Sequence, residues 1–148
     1  MTNNVEEIKD LVREFYQTQR VIGVDNDDLE PFFLTQGQLI AIDCEEFDLW
    51  NEPYKAICQK TKNKLDTLKE KYKIHRVLFL FFQPTAHELK MKDMESLRLM
   101  SNFLESVTWG LGIWNEDSAR LLTLVEITSA LSCYHNNKKG DKYNNPQK

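Results

Sequence analysis

Three cysteines, three histidines and one acidic run are the residues whose types could do chemistry here. The cysteines are Cys44, Cys58 and Cys133. No CxxC spacing occurs among them, and a thiol needs a nearby base or positive charge to become a nucleophile. Cys44 stands beside Glu45 and Glu46, which raise a thiol pKa rather than lower it. Cys58 falls on the apolar stripe of a helix, where cysteine behaves as a small hydrophobe. The histidines are His75, His87 and His135, far apart in sequence. A zinc helix needs a second histidine three or four residues from the first, and His87 has none. His87 therefore reads as a surface or helix-start residue, and His75, just before a strand, as partly buried. Asp43, Glu45, Glu46 and Asp48 could hold a hard cation or act as paired carboxylates. The EF-hand spacing is absent, and acids ahead of a helix commonly complement its dipole. A phosphate loop needs clustered glycines. Only Gly110 and Gly112 lie close together, and they sit inside a strand pattern. No catalytic residue, metal or cofactor is assigned on these grounds.

The elements that must position these residues follow from periodicity. "NNVEEIKDLVREFYQTQ" reads as a helix with Asn4 as N-cap and Val5, Ile8, Val12, Phe15 and Gln19 on one stripe. "VDNDDLEPFFLTQG" is punctuated by Pro31 and Gly37 and reads as a loop with a short helical turn. "QLIAID" is a short strand. A long amphipathic helix starts at Pro53, well placed in a first turn, and runs to about Tyr72. One of its faces is apolar. Lys55, Lys60, Lys62, Lys64 and Lys69 lie elsewhere on it, with Lys71 and Lys73 at and beyond its end. "IHRVLFLFFQ" is apolar from Val77 to Phe82 without alternation, which implies a central strand buried on both sides. "HELKMKDMESLRLMSNFLE" is a helix with Met94, Leu97, Met100, Phe103 and Leu104 inward. "SVTWGLGIWNEDSARLLTLVEITSAL" reads as a β-hairpin, with Val107, Trp109, Leu111 and Ile113 opposite Gly110 and Gly112. Glycine in a strand marks close approach of other backbone or side chains. The expected order is α, then β-α-β-α-β-β. That is an α+β fold, a two-layer α/β sandwich with a mixed four-stranded sheet. The divisions are residues 1–37 (helix and acidic connection), 38–131 (α/β domain) and 132–148 (disordered polar tail).

Charge is unevenly placed. Residues 1–50 carry 12 Asp/Glu against 3 Lys/Arg, while residues 51–100 carry 6 against 11. Either two solvated faces attract each other within the fold, or the molecule is bipolar and docks on a charged partner. The net charge of −4 argues against a dedicated nucleic-acid binder. Aromatics are not interleaved with the lysines, so no stacking platform for single strands is suggested. The polar, acidic N-terminus is unlike a signal peptide, no apolar run reaches the length of a membrane span, and the odd number of cysteines fits a reducing cytoplasm.

Residues 38–131 resemble the C-terminal domain of FtsZ, the bacterial tubulin homologue. "SVTWGLGIWNEDSARLLTLVEITSAL" is similar to that family's last hairpin, "RVLFLFFQPTAHELKMKDMESLRLM" to the preceding strand, loop and helix, and "QLIAIDCEEFD" to the domain's first strand. The family's glycine-rich GTP-binding signature has no counterpart. "IAIDCEEFD" can alternatively be aligned on the family's catalytic acidic loop, with Asp43 and Glu46 on its two acids, but Ala41 replaces the expected asparagine. Neither GTP binding nor hydrolysis is carried over. The resemblance implies a non-catalytic interaction or structural module tied to cell division or a cytoskeletal polymer. It would bind a protein partner or self-associate, without nucleic acid. Its candidate surface is Asp43, Glu45, Glu46, Asp48, Lys62 and Lys69. The alternative is a small oligomeric ligand-binding module or enzyme with its site between subunits, drawing on Asp43, Glu46, Arg76 and His87.

Overall fold

A computed structural model describes residues 1–87, 89–101 and 107–129. The expectations for Phe103, Leu104, Cys133, His135 and the tail at 132–148 lie outside the described residues. In chain order the elements are α1 (Val5–Tyr16), β1 (Gln19–Ile22), α2 (Asn26–Phe33), β2 (Gln38–Glu46) and α3 (Pro53–Lys69). They are followed by β3 (Tyr72–Pro84), α4 (Met91–Ser101), β4 (Val107–Trp114) and β5 (Ala119–Ser129). The α+β class with a mixed sheet is as expected, and the N-terminal helix comes first. The sheet, however, has five strands rather than four, in the order β1-β4-β3-β5-β2. β3 and β4 are parallel, and the other pairs are antiparallel.

The last two strands do not form a hairpin. β3 lies between them, paired with β4 on one side and β5 on the other. β3 is buried on both faces from Val77 to Phe82. On an edge it would leave a row of backbone groups unpaired, which a central place avoids. The link between β4 and β5 must then cross two strand spacings, about 10 Å. Residues 115–118 suffice, since an extended chain reaches about 3.3–3.6 Å per residue. They pass over the end of β3, where Pro84 lacks an N–H and Thr85 N donates to Trp114 O (3.2 Å).

Two helical layers cover the sheet. The connections β2–α3–β3 and β3–α4–β4 run the same way across it, so right-handed crossover puts α3 and α4 on one face. There Tyr54, Ile57, Leu65 and Leu97 pack on Ile42, Phe79, Phe81 and Leu121. On the other face Ile8, Val12 and Phe15 of α1 and Leu29 and Phe32 of α2 pack on Leu78, Leu80, Phe82 and Leu124.

Several local readings are corrected. Residues 26–33 form a true helix, started by a reciprocal capping box between Asp25 and Asp28. The sequence pattern Asp-x-x-Asp carried that signal. Gln19 belongs to β1 and Tyr72 to β3, not to the helices before them. Met94 is partly exposed, and Asp93 is buried in its place on α4. His75 is exposed and shares a 2.7 Å hydrogen bond with Thr128 Oγ1. Gly110 and Gly112 do mark close packing. A Cβ on Gly110 would lie 2.7 Å from Val24 Cγ2, and one on Gly112 would lie 2.8 Å from Thr18 Cβ.

Candidate functional site

Strand β2 alternates, so its acids divide between the two faces. Asp43 and Glu45 point to the α1 side and Glu46 to the α3 side. Asp43 is consumed by Arg120, which β5 projects beneath α1. Arg120 Nε and Nη2 donate to the two oxygens of Asp43, both at 2.8 Å, and Nη1 donates to Glu14 Oε1 at 3.1 Å. The guanidinium also lies 4.8 Å from the Phe82 ring centre and 5.5 Å from that of Trp114. Arg120 is 4% exposed. Burial works against its charge, but the hydrogen bonds it donates to Asp43 and Glu14 outweigh that and raise its pKa. Glu45 accepts from Ser118 Oγ (2.8 Å), and the Ser118 carbonyl accepts from Trp114 Nε1 (2.8 Å). On the other face Lys60 meets Glu46 at 3.3 Å. Asp48 accepts from Trp50 N and Asn51 Nδ2 in the β2–α3 loop, and the Asn51 bond leads in lowering its pKa. Arg76 is paired with Glu126 at the opposite end of β3. The structure therefore does not bring Asp43, Glu46, Arg76 and His87 together.

His87 does enter a site of its own. The carboxyl ends of β2 and β3 feed loops into the N-termini of α3 and α4, and a cleft of about 260 Å³ opens between them. Such crevices beyond strand ends are common ligand positions in α/β sheets. His87 Nε2 donates to Asp93 Oδ2 (3.2 Å), which also accepts from Lys90 N (2.9 Å). Asp93 is 3% exposed and thereby ties the start of α4 to the β3–α4 loop. Lys90 and Lys92 line the mouth, with Lys92 3.9 Å from Glu52. Trp50, 94% exposed, stands at the rim. Glu52 carries the positive φ of 48°, a left-handed conformation that costs a non-glycine residue energy. The Tyr54 ring is 5.9 Å from the His87 ring, and its buried hydroxyl has no hydrogen-bond partner among the described residues. Burial, helped by Asp93, pushes the Tyr54 pKa up. Burial likewise holds Cys58 as a protonated thiol, pushed up to about 12. Its Sγ donates to the Ser96 carbonyl at 3.8 Å. The arrangement can bind and orient. It places no activated nucleophile against His87 among the described residues.

The lysines of the candidate surface lie on α3. Lys62 is exposed beside a second cleft between α3 and α4, and Lys69 lies near the far end of the helix. Charge now has a geometry. α1 and α2 carry Glu6, Glu7, Asp10, Glu14, Asp27, Asp28 and Glu30 against Lys9 and Arg13. α3 carries five lysines against Asp66. These layers are on opposite faces of the sheet, roughly 20 Å apart if each layer is about 10 Å deep. The Debye length at physiological salt is about 8 Å. Attraction between these two layers within one molecule is therefore largely screened.

No family model matches this sequence, and no curated protein matches it at a significant level. Solved structures do. An empty FtsZ dimer from M. jannaschii superposes with a TM-score of 0.58 at 19% identity, over 80% of this chain and 35% of that one. A point mutant of the same protein gives 0.58 and 19%, over 82% and 37%. At this identity the likeness is one of fold. The chain spans little more than a third of the FtsZ chains it matches. No helix among the described residues is long and apolar enough to cross a membrane.

Proposed function

We propose, from a fold that is that of part of FtsZ, about a third of its chain, that this protein is a non-catalytic interaction module acting through two faces of opposite charge. The observation that carries the reading is the separation of the acidic α1–α2 layer from the lysines of α3 by the sheet. Such a molecule is steered onto a charged partner, or onto a second copy, with a strong dependence on ionic strength. Exposed Trp50, Met91 and Leu99 offer apolar anchors on the α3–α4 side. The likeness to FtsZ supports a place in the cytoplasm, in cell division or on a cytoskeletal polymer, while the missing glycine-rich signature and the net charge of −4 are the grounds for expecting neither GTP nor nucleic acid. Lysine-directed cross-linking in the source cell, read by mass spectrometry, tests this. Links from Lys55, Lys62 or Lys64 to another molecule are expected, and they should fall away when those lysines are replaced by glutamate. A chain that yields only internal links is not an interaction module.

A second reading rests on the His87–Asp93 cleft, which is shaped for a small ligand. Native mass spectrometry of protein from its own source separates the two. A stoichiometric small molecule lost on His87→Ala would favour the ligand module.

A further inference from the structure

The groove between α3 and α4 has a floor and a rim of different character. Its volume is about 370 Å³. Cys58, Leu99 and Met100 give it an apolar floor and wall, and Leu99 is 63% exposed. Leu97 and Met100 already give α4 its buried apolar face, so an apolar residue facing water on the same helix is a mark of a surface made for contact. Nor is Leu99 alone on α4, because Met91 is 88% exposed and Met94 partly so. Methionine surfaces adapt to the side chains that land on them. The rim on the α3 side is basic. Lys55 and Lys62 are exposed, and neither has an ion pair among the described residues. Seven residues apart, they are separated by two helical turns, about 10.5 Å along the axis.

We propose that this groove docks an acidic, amphipathic segment of a partner protein. Its apolar anchor seats on Leu99, Met100 and Cys58, and carboxylates about two helical turns apart meet Lys55 and Lys62. The proposal rests on the interaction reading above and names the partner's chemistry. Charge complementarity decides between occupants. A basic or neutral segment would leave both lysines facing like charge or nothing, whereas an acidic one satisfies them at the edge of a desolvated anchor.

The test is a phage-displayed library of random 16-residue peptides, selected on the immobilised full chain. Enriched peptides should carry Asp or Glu around Leu, Phe or Met at helical spacing. Synthesised winners, measured by fluorescence anisotropy, should bind at least ten-fold more weakly to the Lys55→Glu/Lys62→Glu variant and to Leu99→Asp. Raising salt should weaken binding to the native chain. All three positions are exposed, so the variants should melt with the native protein. No enrichment, enrichment of basic or neutral peptides, or undiminished binding to the variants overturns the proposal. So does a dimer of the chain alone that Leu99→Asp dissolves, since the occupant would then be a second copy. Winners that bind at α1 or α2 sink the groove but leave the interaction reading standing. Absence of cross-links in the cell sinks that reading whatever the peptides do.

Discussion

Replacing Gly112 by alanine should destabilise the protein by about 1–3 kcal/mol. The added Cβ would lie 2.8 Å from Thr18 Cβ and closer still to the Thr18 hydroxyl. Thr18 has little freedom to retreat. Its hydroxyl donates to the Phe15 carbonyl at 2.6 Å, and the strand it leads into pairs Arg20 with Gly112. Two costs follow: overpacking at about 1–3 kcal/mol and the displaced hydrogen bond at about 1 kcal/mol. Stiffening of the unfolded chain by alanine offsets about 0.4–1 kcal/mol. For a domain of this size the net corresponds to a fall in Tm of roughly 3–10 °C. Urea and thermal unfolding measure it. Gly23→Ala is the control. Nothing among the described residues lies within 4 Å of a Cβ there and its φ is not positive, so stability should hold or rise by up to about 1 kcal/mol. Thr18→Gly removes both clashing atoms, so the double variant Thr18→Gly/Gly112→Ala should cost less than the two single changes together. If Gly112→Ala melts with the native protein, or if the two changes simply add, the reasoning about close approach is wrong.

Asp43→Asn should cost about 3 kcal/mol in urea unfolding, because it leaves the buried Arg120 guanidinium with only the more exposed Glu14. Glu14→Gln should cost less, about 1 kcal/mol, and equal costs would refute the assignment of Asp43 as the principal partner. Alkali should weaken the fold. Cys58 rises from 9.0 to about 12 on folding, so its contribution is whole below pH 9 and is lost as pH climbs toward 12, with Tyr54 acting in the same direction from about pH 10. Tm measured across pH 8–11 should fall above pH 9, and less steeply for Cys58→Ala. At pH 8, Cys58 should alkylate far more slowly than in urea, and labelling at the unfolded rate would contradict its burial.

Much of the fold was legible along the chain. The run Val77–Phe82 announced a strand buried on both faces, because it has no polar residue to turn toward water. The alternation around Gly110 and Gly112 placed the glycines opposite Trp109 and Leu111, as the two cores show. What misled was nearness in sequence. β4 and β5 are joined by four residues and so read as a hairpin, and Met94 read as inward although Asp93 takes the buried place through its bonds to His87 and Lys90. β1 was hidden because four residues with one exposed valine carry too little period to register.

The candidate site divides in the same way. The lysine face of α3 is a local property, and its spacing alone puts Lys55 and Lys62 in register. So is the acidity of the first 50 residues. The placement of the α1 and α2 acids opposite those lysines was decided by the tertiary structure, through crossovers that send α3 and α4 to one side and leave α1 and α2 to the other. The cluster of Arg120 with Asp43 and Glu14 joins residues 77 and 106 apart, and the His87–Asp93 cleft joins the ends of two strands that β5 separates. Periodicity reports which side of its own element a residue faces. It carries no information about which distant element will be packed there, and every group in these sites depends on that.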